Sequence, residues 1–206
     1  MVKRGLADSR ERAKQLIAAG NVQLRGEVAT KPSLAVGEGD SIVLLDNLRY
    51  VSKDGEKLES ALNEFRVDVH GLTALDVGAS MGGFTDCLLQ HGASRVYAVD
   101  VGHGQISPKI RNDPRVQVLE DTDIRQLGQL PEMVDLVVVD VSFISLRLVL
   151  PAVVRFLKPD TGRVIVLIKP QYEAGARKVV KKGVIKSQSL RRRIVEDLLK
   201  WIQQQG

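Results

Sequence analysis

The stretch Leu75-Asp76-Val77-Gly78-Ala79-Ser80-Met81-Gly82-Gly83-Phe84-Thr85 restricts the fold more than any other part of the chain. An apolar run ends, glycines follow, and a run compatible with a helix begins. Glycine stands where a backbone bends sharply or comes close to a ligand. A helix that starts at such a turn aims its free N–H groups into it. The spacing is G-x-x-x-G-G, which departs from the G-x-G-x-x-G pattern of dinucleotide sites. Asp76 precedes the first glycine by two residues. A carboxylate there accepts a bond from a polar or cationic ligand group and disfavours a phosphate cradle. Asp76, Gly78, Ala79, Ser80, Gly82, Gly83 and Phe84 therefore read as one wall of a pocket suited to S-adenosylmethionine, with an ordinary strand-to-helix turn as the plain alternative.

From Leu72 onward, short apolar runs alternate with helical patterns, the signature of a parallel sheet in a doubly wound α/β fold. Five strands are expected: Thr73–Val77, Arg95–Asp100, Val116–Leu119, Val134–Asp140 and Arg163–Ile168. The fourth is nearly all apolar, as a strand covered on both faces must be. A helix is expected from Gly83 to His91, and a last one from Ser189 to Gln203.

Open parallel sheets bind ligands beyond the carboxyl ends of their strands. The residues at those ends therefore matter most. Asp100 ends the second strand, 24 residues after Asp76. It can accept both hydroxyls of an adenosine ribose, with Val101 beside it. Asp121 and Asp123 follow the third strand. Either could approach an adenine amino group, and spacing does not choose between them. Asp140 and Lys169 end the fourth and fifth strands. They could form a simple ion pair. Alternatively, Lys169 could draw the proton from a ribose 2′-hydroxyl while Asp140 orients it. Lys57, on an apolar-striped helix near residues 57–65, would then bring a second positive charge to the reacting oxygen. A sulfonium methyl group is already activated, so this chemistry calls for no metal.

The N-terminal part reads differently. Residues 8–20 predict a short helix capped by Asp8, with Glu11 closing a capping box and Gly20 ending it. A small hairpin follows around Arg25-Gly26, then a strand over Ser41–Leu45. So small a module leans on its neighbour. Arg4, Arg10, Lys14 and Arg25 gather on its helix and first turn, which suits phosphate contacts.

Charge is divided along the chain. The net charge is +5, but residues 63–146 hold 6 basic and 12 acidic residues, whereas residues 147–206 hold 14 and 4. An acidic centre suits a cationic nucleoside, and a basic flank suits RNA. Lys178, Lys181 and Lys182, in the segment after Lys169, read as RNA contacts. The single cysteine, Cys87, forbids an internal disulfide. It reads as a buried apolar residue in a protein of the reducing cytoplasm. No apolar run reaches membrane-spanning length.

The run R-G-L-A-D-S-R-E-R-A-K-Q-L-I-A-A-G-N-V, with G-E-V-A-T-K-P after it, resembles the S4 RNA-binding domain. The motifs Y-V-S-K-D-G-E-K-L, L-D-V-G-A-S-M-G-G-F-T-D, V-Y-A-V-D-V-G-H-G-Q, D-V-S-F-I-S-L and L-I-K-P-Q-Y-E-A-G then follow in order. Together with the S4-like run they resemble the TlyA family of ribosomal RNA 2′-O-methyltransferases, which has an FtsJ-like catalytic domain and is sometimes labelled haemolysin. The resemblance implies S-adenosylmethionine as methyl donor, a cytidine ribose of ribosomal RNA as acceptor and the ribosomal subunit as partner. It carries three of the family's four catalytic residues onto Lys57, Asp140 and Lys169. It implies an S4-like domain over residues 1–46, a linker over 47–59 and a Rossmann-like methyltransferase domain over 60–206.

The family's fourth catalytic residue, a glutamate, comes from strands after the last helix and finds no match here. About five of seven expected strands are found, and the first S4 helix reads as clipped. These departures raise the alternative of a cofactor- and RNA-binding fragment that turns over poorly. They also predict self-association through an exposed sheet edge.

Overall fold

The computed structural model describes residues 1–18, 21–29, 31–44, 49–174 and 185–205. The predicted RNA contacts Lys178, Lys181 and Lys182, and the helix end at Gly20, lie outside the described residues.

The N-terminal module holds α1 (Arg10–Ala18) against an antiparallel sheet of β1 (Val22–Leu24), β2 (Glu27–Val28) and β3 (Ile42–Leu44), in the order β2-β1-β3. Arg25 and Gly26 both have positive φ, 55° and 85°, which matches the two-residue hairpin turn joining β1 to β2. Leu16, Val22, Leu24 and Ala29 form the module's small core. The helix start differs from expectation. Ser9, not Asp8, receives the backbone N–H of Arg12 at 3.1 Å, while Glu11 pairs with Lys14 at 3.0 Å. The serine sits at the N-cap position three residues before Arg12, where its oxygen meets an unpaired N–H.

A connecting segment leads into α2 (Asp54–Phe65), and the larger part of the chain follows: β4 (Thr73–Val77), α3 (Gly83–Gln90), β5 (Arg95–Val99), α4 (Pro108–Arg111), β6 (Val116–Leu119), β7 (Leu136–Val139), α5 (Leu146–Val153), β8 (Arg163–Val166), α6 (Pro170–Glu173) and α7 (Gln188–Gln204). All five strands of the second sheet are parallel and run in the order β6-β5-β4-β7-β8. This is the expected doubly wound arrangement, with the chain reversing direction across the sheet at β4 and β7. Sequence patterning located the strands but missed α4, α5 and α6. Two of these are only four residues long, and α5 carries Pro151 inside it.

Side chains alternate across the sheet with period two. Ala74, Val96, Ala98, Leu136 and Val138 face Leu58 and Leu62 of α2 and Cys87 and Leu88 of α3. Leu75, Val77, Tyr97, Val99, Val137 and Val139 face α5 and Leu198 of α7. Each fully buried aliphatic side chain contributes about 1.5–3 kcal/mol of transfer free energy. Val164, Val166, Trp201 and Ile202 are half-buried against this second layer. β8 is an edge strand, yet its Val164 and Val166 are half-buried in the cluster to which α7 also contributes.

Register aligns the strand ends. Val77 lies beside Val99 and Val139, Val99 beside Leu119, and Val139 beside Val166. The residues immediately beyond that row are Gly78, Asp100, Asp140, Glu120 and Leu167, so three of the five strand ends bring a carboxylate to one rim.

Candidate functional site

The turn after β4 is shaped by packing as much as by ligand access. Gly78 has φ of 84°, and a Cβ there would stand 2.5 Å from the carbonyl oxygen of Asp140. Gly82, with φ of 93°, closes onto Ile110, and a Cβ on Gly83 would lie 2.2 Å from Ser52 Oγ. The three glycines thus let the strand end carrying Asp140 and the segment entering α2 crowd against one turn. That crowding brings Lys57 to the sheet.

A crevice of about 1090 Å³ lies over the rim. Gly78, Ser80, Asp100, Val101, Thr122, Asp123, Ile124, Ser142, Phe143 and Tyr172 are among its lining residues. Asp100 is nearly buried, and its two oxygens accept the N–H groups of Ser80 and Gly102, each at 2.7 Å. Those bonds pin the carboxylate in the crevice wall. Asp123 lines the crevice but is gripped by Arg125. Asp121 does not line it: its φ is 52°, and its carboxylate accepts a bond from His103 at 2.7 Å on the exposed surface. Of the two aspartates between which spacing did not choose, Asp123 faces the crevice.

Glu120 was not singled out by motif, yet it organises this rim. It receives the N–H groups of Gln105 and Ile106 at 2.9 and 3.2 Å and pairs with Arg111 at 2.5 Å. Burial raises the carboxyl's pKa, but these donors outweigh burial and bring it down to about 2. Beneath the turn, Asp76 is fully enclosed. Burial pushes its carboxyl up to about 7, although Thr85 Oγ1 donates to one oxygen at 2.6 Å. Its other oxygen has no side-chain hydrogen-bond partner among the described residues. Asp76 is not among the lining residues of the crevice, contrary to its reading as a ligand contact; it braces the turn from below through Thr85.

A smaller cavity of about 210 Å³ adjoins the crevice and shares Gly78, Ser80, Asp140 and Ser142 with it. Here Lys57, Asp140 and Lys169 converge from α2, from the end of β7 and from the residue preceding α6. Lys169 forms an ion pair with Asp140 and donates to Ser142 Oγ at 2.8 Å. Lys57 Nζ lies 4.0 Å from Asp140 and 2.6 Å from Asp54. Burial lowers the pKa of Lys57, but the bond to Asp54 and the charges of Asp54 and Asp140 offset this and hold it above the ordinary lysine value.

Several participants escaped sequence reading. Ser142, Phe143, Tyr172 and Glu173 all lie within motifs already noted, but nothing in a linear motif shows that their segments run side by side. Phe143 is 88% exposed with φ of 64°, a strained conformation for a bulky residue, and its ring lies 5.2 Å from that of Tyr172. Glu173 accepts bonds from Ser145 Oγ at 2.6 Å and from the N–H of Leu146 at 2.7 Å, capping α5. Cys87 is fully buried, and burial pushes its thiol up to about 12, as suits an inert packing residue.

In the N-terminal module, Arg10, Lys14 and Arg25 lie at the surface, but Arg4 does not stand free. Its guanidinium donates to the carbonyls of Asp40, Gly37 and Glu38 at 2.6, 2.7 and 2.9 Å. It fastens a loop, a correction to the expectation that it is available for phosphate. Among the described residues no helix is long and apolar enough to cross a membrane.

Comparison with known proteins is consistent along the chain. The FtsJ-like methyltransferase family matches residues 50–206, and the S4 domain matches residues 1–42. The 16S/23S rRNA (cytidine-2'-O)-methyltransferase TlyA of Mycobacterium tuberculosis is 46% identical over 212 residues, covering 100% of this chain and 78% of the relative. Hemolysin A of Brachyspira hyodysenteriae is 41% identical over 198 residues, covering 95% and 82%. A solved structure from Streptococcus thermophilus, labelled a hemolysin, superposes with a TM-score of 0.76 at 40% identity, covering 97% of this chain and 74% of that one.

Proposed function

The chain belongs to the TlyA family of FtsJ-like methyltransferases and carries an S4 domain, and from that premise we propose that it methylates the 2′-hydroxyl of a cytidine ribose in ribosomal RNA, using S-adenosylmethionine. The observation that carries this reading is the convergence of Lys57, Asp140 and Lys169 in a cavity that adjoins the crevice over the glycine turn.

The crevice residues fit the proposed donor. Asp100, pinned by Ser80 and Gly102, is the acceptor for the ribose hydroxyls of the nucleoside. Asp123 and Thr122 border the side where a base would lie. Held by these residues, S-adenosylmethionine would supply a methyl carbon activated by its sulfonium sulfur, which would keep the bonding electron pair.

The chain's own groups prepare the acceptor. Lys169, in its neutral form, takes the 2′-hydroxyl proton at Nζ, with Asp140 and Ser142 fixing that nitrogen. Lys57 remains a cation and faces the oxygen as its negative charge grows. The Phe143–Tyr172 pair gives the base of the target nucleotide an aromatic face next to the cavity. The S4 domain and the basic C-terminal third supply phosphate contacts that hold the RNA in place.

Transfer of tritiated methyl from S-adenosylmethionine to purified ribosomal subunits tests the proposal. The product should be a 2′-O-methylcytidine, and Lys169→Ala should lower transfer by about 100-fold or more. Label found on a base rather than a ribose would overturn the assignment.

A further inference from the structure

The smaller cavity contains a carboxylate that neither the motif reading nor the proposed chemistry uses. Asp54 stands at the first position of α2, and its side chain lines the cavity. One of its oxygens is 2.6 Å from Lys57 Nζ, closer than Asp140 at 4.0 Å. The other accepts a bond from Ser52 Oγ at 3.1 Å, and Ser52 is in turn enclosed by Gly83 of the cofactor turn. The cavity's charged groups therefore form an alternating row: Asp54, Lys57, Asp140, Lys169. Lys57 is the inner cation of that row and has a carboxylate on each side.

An isolated surface pair three residues apart on a helix is worth little. This one differs in its anchorage and its place. Ser52 holds Asp54 from the far side, and Lys57, although about half exposed, borders the cavity. Among the described residues, the polar partners of Lys169 at this site are Asp140 and the neutral Ser142. The two lysines are thereby made unequal by their neighbours.

Resting on the catalytic reading above, we propose that Asp54 is a positioning residue that holds Lys57 as the fixed cation of the site and leaves Lys169 as the proton acceptor. Asp54 touches no reacting atom; it acts through Lys57. The direction in which Asp54 and Asp140 move the Lys57 equilibrium agrees with this, since both favour the charged amine. Loss of Asp54 should let Lys57 shed its proton at lower pH and let its side chain wander.

Methyl transfer by the full chain, measured against pH, provides the first test. For Asp54→Asn the alkaline limb of kcat should move at least half a unit toward neutrality, and kcat near pH 8 should fall about tenfold. KM for S-adenosylmethionine should stay within twofold of wild type, and Asp54→Glu should restore the limb. Competitive acetylation of Lys57, read by mass spectrometry without RNA, is the second test. Its pH midpoint should fall in Asp54→Asn and be restored in Asp54→Glu. An unmoved limb and an unmoved midpoint in Asp54→Asn, alongside a Lys57→Ala enzyme that loses transfer, would overturn the proposal while leaving the catalytic reading intact. Absence of transfer by the wild-type chain, or indifference to Lys57→Ala, would instead count against the catalytic reading itself.

Discussion

Asp76 shows how far a single residue's behaviour departs from its type. An exposed aspartate titrates near 4. Enclosed under the glycine turn, Asp76 is pushed by burial up to about 7. Between those values the folded chain holds a proton that the unfolded chain has released, so stability falls as pH rises through that window and levels off above it. Asp76→Asn should therefore stabilise the ligand-free protein at pH 8 by on the order of 1–3 kcal/mol, with little gain at pH 4. Thermal melts at the two pH values check this, and an equal gain at both would refute it. Glu120 works in the opposite sense. Its folded pKa is brought down to about 2, so its contribution is present above the ordinary glutamate range and lost as pH falls toward 2. Glu120→Gln should flatten the acid side of the stability profile and weaken binding of S-adenosylmethionine, because the loop of residues 102–106 loses its anchor.

At the scale of elements, the site depends on contacts between segments that are short or irregular. The segment from Lys169 to Glu173 runs across the segment from Asp140 to Leu146 and is tied to it at several points: the Lys169–Asp140 pair, the Lys169–Ser142 bond, the Phe143–Tyr172 contact and the Glu173 cap on α5. Glu173→Ala removes the cap and leaves Leu146 N–H without that acceptor, at a cost of about 1–2 kcal/mol. Transfer to RNA should decline while the affinity for S-adenosylmethionine, measured calorimetrically, stays close to wild type. The entry to α2 is a second such junction. Gly83→Ala would drive a methyl group into Ser52 and shift Lys57 with the helix, so it should reduce kcat by at least tenfold. A Gly83→Ala enzyme with wild-type kcat would show that α2 accommodates the methyl group without moving Lys57.

Across the whole molecule, the backbone of Val51 ties α1 of the N-terminal module to α3. Its N–H donates to Asp86 of α3 at 2.8 Å, and its carbonyl accepts from Arg12 of α1. Asp86 also receives Lys109 at 2.8 Å and Gln90 at 3.1 Å, so this buried carboxylate has its lone pairs filled. Removing it strands those donors, and Asp86→Ala should cost about 2–4 kcal/mol in chemical denaturation followed by Trp201 fluorescence. Charge acts on the same scale. Steep loss of kcat/KM for RNA with rising salt, beside a nearly constant affinity for S-adenosylmethionine, is expected if basic side chains carry the RNA contacts. A flat salt response would count against them.

The linear pattern was sufficient for the parallel sheet, its strand positions, the glycine turn and the acids and lysine at the strand ends. Those features follow from local rules: period two within strands, glycine where φ is positive, and polar residues where apolar runs stop. The family also was legible, since its motifs occur in order along the chain. Contacts across the sheet were not. That Asp123 rather than Asp121 faces the crevice, that Arg4 fastens a loop, that Glu173 caps a helix and that Asp54 lies nearer than Asp140 to Lys57 depend on backbone angles and on which segments pack together. Composition and spacing carry no record of such distances. They are decided when buried surface on both faces of the sheet locks the segments into register, and the glycine turn could be read at sight because its constraint is local.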